Sequence, residues 1–335
     1  MSKCRCIGVF VFGLVVGMVG LMIATSNPHP SAEGFRATHP AISEELLTSA
    51  LTVREQWHVK KDARVFILPH HVVAAKEIAS LISAMERPSV VYLLSPDHFT
   101  RGKTVFTTSD VGLAKAVAGT SVDDAVIQRE HGVSAITPFF AQLHAGVPVV
   151  PILVRMNAAT SSRESLAREL LRRLRVDPRA ALVASIDFSH YLPVEVADFH
   201  DILAEDVLRA VAAQDADSVE LDSPGALAVT LSVARGLDLG DVTIHAHTNS
   251  LRLLRALAAK ESTSHFFVSF ARGEMAARRV RTILRTNALN IKSQENRYYH
   301  GMSHVAFTTS TIPTAIGIVE RDGVEGGRVR LPIVW

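Results

Sequence analysis

Cysteine is nearly absent. The chain holds 2 in 335 residues, Cys4 and Cys6, and everything after the sixth residue is cysteine-free. A disulfide scaffold and a cysteine-based zinc site are therefore excluded from the folded body, so any metal site there must be built from His, Asp and Glu. Charge of one sign is lacking too. The net charge is +2, and no face-forming run of Lys and Arg stands out beyond one helix, which argues against nucleic acid as a partner. That helix carries Arg172, Arg173 and Arg175 near its end, where cations complement the helix dipole, so a solvated terminus is expected. No Gly-x-Ser-x-Gly elbow occurs, which disfavours a serine hydrolase. No internal repeat is visible.

What is present reads as a folded protein: 48% hydrophobic and 20% charged residues, the composition of a well-buried body. Lys3 and Arg5 precede the apolar stretch Ile7 to Ala24, a positive start followed by an apolar core, which reads as an export signal. Its 18 residues sit at the lower edge of what spans a bilayer. Small residues Ala24 and Ser26 suit a cleavage site, so a cleaved signal peptide and an uncleaved anchor both fit residues 1–26. Either way the body is expected to be extracytoplasmic, membrane-anchored or secreted, with the N-terminus in the cytoplasm. Asn27 to about His39 is polar and Pro-containing, and the linker is placed at 27–54. The body is then placed at 55–275, with a C-terminal extension, 276–335, that has no functional reading.

From Ala63 onward strand and helix patterns alternate. Apolar runs at Arg64 to Pro69, Ser89 to Ser95, Val147 to Val154 and Ala180 to Ile186 are separated by helical patterns at Ala74 to Met85 and Val194 to Gln214. Ser161 with Glu164 makes a capping box for a further helix that runs to Arg175. Near-continuous apolar strands flanked by helices predict an α/β, three-layer fold: a central, mostly parallel sheet covered by helices on both faces, plus the N-terminal apolar helix.

Three of these strands end in the same kind of residue. The ends are Pro69-His70-His71, Ser95-Pro96-Asp97-His98 and Asp187-Phe188-Ser189-His190-Tyr191. Ligands of open α/β sheets bind beyond the carboxyl ends of the strands, so the three clusters can face one crevice. Asp222 lies just before the helical run Ala226 to Leu237, with Pro224 in its first turn; Ser223 can cap that helix while Asp222, one residue outside, points at a metal. Two neutral imidazoles with one carboxylate suit non-haem Fe(II), and zinc accepts the same set. His245 and His247 alternate along a strand-like run and should share one face, in a structural role or, as the alternative, as a secondary metal pair.

The order PH…SPDHF…EHG…PVVPILV…SIDFSHY…ELDSPGA…FFVSFARG resembles the Memo family, also called AmmeMemoRadiSam system protein B, over roughly residues 60 to 275. That family shares a fold with the class III extradiol (LigB-like) dioxygenases. The resemblance implies that His70, His98 and Asp222 hold a metal, with Asp222 standing where many members carry a Cys and the dioxygenases a Glu. It implies that His190 acts as an acid/base beside the metal with Asp187 orienting it, and that His131, with Glu130 in the Glu-His motif, either lines the pocket or starts a helix facing solvent. Two departures stand out: His71 replaces the small residue after the first ligand, leaving His70 and His71 both open as that ligand, and Thr137 or its neighbours occupy the stretch of a further family His. The cofactor implied is Fe(II), with Zn or Cu as alternatives. The function implied is oxygen-dependent oxidation of a small-molecule substrate; the alternatives are a non-catalytic metal-binding module and a metal-dependent hydrolase. Family members are often encoded with a radical enzyme and a small companion, which implies companion proteins as partners.

Overall fold

Side chains along the central strands alternate between two cores. In β1 (Val65–Leu68), Val65 and Ile67 enter one core while Phe66 and Leu68 enter the other, and no residue of the strand is exposed. The same alternation holds in β2 (Val91–Pro96), where Val91 and Leu93 face the core opposite to Tyr92 and Leu94. Burial on both faces is why these strands read as continuous apolar runs rather than alternating ones. The computed structural model describes residue 35, residues 37–256 and 261–275, and the short strands Thr282–Ile283 and Ile318–Val319.

One face of the sheet is covered by α1 (Glu44–Val53), α2 (Ala75–Ala84) and α6 (Thr137–Leu143), through Leu47, Ile78, Ile82, Phe139 and Phe140. The other is covered by α7 (Thr160–Val176), α8 (Val194–Arg209) and α9 (Pro224–Gly236), through Leu166, Leu170, Val207 and Leu231. Each fully buried Phe or Leu of these faces contributes about 1.5–3 kcal/mol, so the two-sided cover is the main source of stability.

The sheet order is β4-β3-β5-β2-β6-β1-β9-β7, with β8 also paired to β9; its further strands are β3 (Phe106–Thr108), β4 (Thr120–Val122), β5 (Val149–Val154), β6 (Ala181–Ser185), β7 (His190–Leu192), β8 (Asp241–Asn249) and β9 (Ser262–Ala271). The expectation of a mostly parallel sheet is corrected. The central pairs β2–β5, β2–β6 and β1–β6 are parallel, but β1–β9, β3–β5, β7–β9 and β8–β9 are antiparallel, so the sheet is mixed. A fully buried apolar run looks the same whichever way its neighbour points, so direction is not written in it.

Four smaller expectations change. Helix α1 lies inside the segment read as linker: Ser43 caps it, accepting from the Leu46 amide at 3.2 Å, and Leu47 and Ala50 are buried, so the body begins before residue 55. Helix α7 starts from Ala159 without a side-chain cap, and Glu164 pairs with Arg168 at 3.8 Å instead of closing a capping box. Arg173 is not solvated: at 8% exposure it donates to Glu169 at 2.8 Å and Asp110 at 2.9 Å. A bulge between Ile244 and Ala246 turns His245 and His247 to opposite faces, the first stacked on Trp57 and the second on Phe266.

The apolar stretch Ile7 to Ala24 and nearly all of 276–335 lie outside the described residues. Among the described residues no helix is long and apolar enough to cross a membrane. The expectation of an extracytoplasmic, membrane-held body is therefore corrected: among the described residues no spanning helix underlies it.

Candidate metal centre

The carboxyl ends of β1, β2 and β6 deliver their polar residues to one crevice, because these three strands are neighbours in the sheet and point the same way. His70 follows β1 and is 3% exposed. Its Nδ1 faces Ser185 at the end of β6, 3.3 Å from both the carbonyl and hydroxyl oxygens. That leaves Nε2 turned to Asp222 Oδ2 at 3.3 Å and Asp187 Oδ2 at 3.4 Å. His98 follows β2. Its Nδ1 donates to Glu130 at 2.6 Å and its backbone amide donates to the same carboxylate at 3.1 Å. Nε2 of His98 is thereby aimed at Asp222 Oδ2, 3.6 Å away.

Asp222 is held from both sides. Its amide donates to the Asp187 carbonyl at 3.1 Å, and its Oδ2 accepts from the Asp187 amide at 3.0 Å. Oδ1 is buried with no hydrogen-bond partner. Ser223 caps α9, accepting from the Ala226 amide at 3.2 Å, while Asp222 faces the crevice, so capping and site geometry coexist.

The ring of His131 lies 4.0 Å from that of His98 and 4.9 Å from that of His70. Among the described residues, His70, His98 and His131 form one set of ligand atoms mutually within 4.8 Å, and His70, Asp187 and Asp222 form another. Gly132 makes the close approach of His131's helix feasible: a Cβ there would come within 3.3 Å of His70 Nδ1 and would strike Ser95. Thr100 and Tyr191, next to the site on two sides, hold φ of 51° and 56°, left-handed backbone that costs strain for such residues.

The electrostatics separate the histidines. Burial works against a charged His98, but the carboxylates of Asp222 and Glu130 outweigh it and push the ring up to about 10. Burial lowers His131 to about 4, helped by His70 and His98. Burial raises the Asp187 carboxyl, yet the surrounding His70, His265, His190 and His71 outweigh it and hold the group at about 2. Asp187 is thus a buried carboxylate ringed by imidazoles.

The fold brings His70, His98 and Asp222 together, with His131 alongside. His70 rather than His71 faces Asp222. The placement of Asp187 differs: it faces His70 and accepts from the His70 amide at 3.2 Å, and among the described residues no hydrogen bond joins it to His190. His190 opens β7, within electrostatic reach of Asp187 but outside the ligand-atom sets. Glu130 is the functional residue that strand-end reasoning passes over, because it caps the short helix α5 (His131–Ser134) and touches His98 only in three dimensions.

Residues 107–222 match the family model described as Memo-like protein, a span that includes Glu130, His131, Asp187, His190 and Asp222. A MEMO1 family protein of Pyrobaculum arsenaticum is 26% identical over 215 residues, covering 55% of this chain and 75% of its own. One from Archaeoglobus fulgidus is 27% identical over 202 residues, with the same two shares, 55% and 75%. Over these residues the chain is similar to Memo-like proteins. An uncharacterized protein of Escherichia coli K12 aligns with 61% of this chain and 99% of its own at 15% identity, but its TM-score of 0.41 is too low to bear on function. Among the described residues, the His and Asp groups beyond the strand ends, and separately Asp198, Asp201 and His247, are spaced so that they could hold a metal.

Proposed function

We propose that this Memo-like protein binds a single divalent transition metal between His70, His98 and Asp222, with Fe(II) as the ion the donor set favours, and uses it to oxidise a small molecule with oxygen. The observation that carries this is the convergence of two imidazole Nε2 atoms on Asp222 Oδ2, at 3.3 and 3.6 Å, beside the unpartnered, buried Oδ1. Two nitrogen donors whose other ring atoms are already committed, plus a carboxylate with a free oxygen, fit such an ion. When bound, the metal would supply Lewis acidity and open positions for oxygen and substrate.

The chain's own residues have separate tasks. Glu130 fixes the His98 tautomer by accepting from Nδ1, so that Nε2 is the available donor. Ser185 does the same for His70. His131, 43% exposed at its side chain and touching Glu130 at 3.3 Å, stands at the entrance and can carry a proton between Glu130 and the crevice. His190 is positioned to exchange a proton with substrate on the side of Asp187.

A second reading has its own observation. The set His70, His98 and His131 is a three-imidazole site of the kind zinc uses with water in metal-assisted hydrolysis. Anaerobic titration with Fe(II), Zn(II) and Cu, followed by oxygen uptake with a panel of phenolic and carboxylic compounds, separates the two. Tight stoichiometric iron lost in Asp222→Ala, with oxygen uptake, is the expected result. Metal retained in Asp222→Ala but lost in His131→Ala would replace it with the three-histidine reading, and no metal bound under any condition would overturn both.

A further inference from the structure

Four imidazoles act on the Asp187 carboxylate. His70 belongs to the crevice above; His71, His190 and His265 are the others within its electrostatic reach. His265 comes from β9, on the same side of that strand as Phe267 and opposite to Ser264 and Phe266. It is fully buried, and neither of its ring nitrogens has a hydrogen-bond partner in the protein. The Nδ1 of His71 is also buried and unpartnered, and the two rings lie 5.3 Å apart, inclined by 32°. His71 precedes the 3-10 turn Val72–Ala74 but makes no side-chain cap to it, so that nitrogen is not spent on the backbone.

Three buried ring nitrogens without partners need a physical reason. A neutral imidazole carries one N–H and one lone pair, and leaving such groups buried and unpaired forfeits their hydration with nothing in return. Apolar packing alone would be served better by Leu. Neutral imidazole is the commonest metal donor, and late first-row ions take it readily. With metal–nitrogen bonds of about 2.0–2.1 Å, two imidazoles on one ion have ring centres within about 6 Å of each other, which the 5.3 Å separation meets. The carboxylate of Asp187 supplies the negative field that draws a cation to this side.

We infer that His71 and His265 form a second metal-binding site, for a late first-row ion such as Zn(II) or Cu(I), separate from the His70–His98–Asp222 centre. Among the described residues the three-ligand sets do not include this pair, so the site is an open two-imidazole one, with remaining positions for water or substrate. It goes beyond the proposed oxidation chemistry and does not depend on it.

The test is metal stoichiometry on the full chain, with Zn(II) added aerobically and Cu(I) anaerobically, each read by elemental analysis after removal of loosely held ion. Asp222→Ala is compared with the double variants Asp222→Ala/His265→Leu and Asp222→Ala/His71→Ala. The expected result is a loss of about one equivalent in both doubles relative to the single variant. His71 is only partly buried, so its variant guards against a folding failure at His265. Equal stoichiometry in the single and both double variants overturns the inference, whatever the single variant binds. Failure of Asp222→Ala to lose metal against the wild type would instead count against the first centre.

Discussion

His70 with Asp187 and Asp222, and His247 with Asp198 and Asp201, are two trios whose ligand atoms lie within 4.8 Å of one another. By distance they are equivalent; by hydrogen bonding they are not. In the second trio Asp201 Oδ1 accepts from Ser189 at 3.1 Å and from Ser264 at 2.8 Å, and Oδ2 accepts from His247 at 2.7 Å. Both oxygens of Asp198 accept from Arg252. In the first trio Asp222 Oδ1 accepts nothing, and Nε2 of His70 is turned to two carboxylates. By these contacts the first trio keeps buried lone pairs uncommitted and the second does not, although the two are equally close-set. The Asp201 cluster instead ties the segment carrying Asp187 and His190 to β9, through Ser189 and Ser264.

The contrast is sharpest if both carboxylates are changed in the same assay. Asp222→Asn should lower metal affinity by more than about 100-fold, because it removes a charged ligand rather than an outer partner; competition against a chelator reads it. Asp201→Asn should leave that affinity within about tenfold. Comparable losses at both positions would erase the distinction drawn between them.

Stability should show the reverse order. Asp201 is 2% exposed and satisfies two serine hydroxyls and an imidazole. Asp201→Ala strands those donors, and a loss of about 2–4 kcal/mol in urea unfolding is expected, with the metal still bound. A loss below about 0.5 kcal/mol would mean that the cluster does not tether the segment.

Next in size is Gly132→Ala. Its Cβ would meet Ser95 and approach His70 Nδ1 to 3.3 Å, forcing the ring off the position that aims Nε2 at Asp222. Metal affinity should fall about tenfold. Unchanged affinity would show that the ring gives way without cost.

How much of this was legible in the sequence follows from what kind of contact each residue makes. His70, His98 and Asp222 could be read because strand ends are local features and the topology of an α/β sheet gathers them. Apolar runs gave the layers but not the direction of β9, since burial on both faces is silent about polarity. Glu130, Arg173 and Asp201 were not legible in their roles. Each is a charged residue on a helix or at a helix start, where solvent is the ordinary neighbour, and each is buried by a partner 12 or more residues away: His98, Asp110, and Ser189 with Ser264. His245 and His247 were placed on one face because the period of two was assumed unbroken, and a single bulged residue reverses that.

The smallest expected effect bears on the second trio alone. Arg252 and Asp198 are both partly exposed, with side-chain exposures of 42% and 36%, and exposed pairs of this kind contribute less than about 1 kcal/mol. Arg252→Ala should therefore change stability by less than that, and the change should shrink further at high salt, because the pair faces solvent. Its value lies in what it releases. The variant frees both oxygens of Asp198 while Asp201 stays committed to its serines and His247. If uncommitted lone pairs must come from a buried carboxylate, one exposed aspartate is too little, and metal stoichiometry should match the wild type. An added equivalent of Zn(II), lost again in an Arg252→Ala/His247→Ala double variant, would show that Arg252 alone keeps this trio from binding, and the line between the two clusters would move to a single guanidinium.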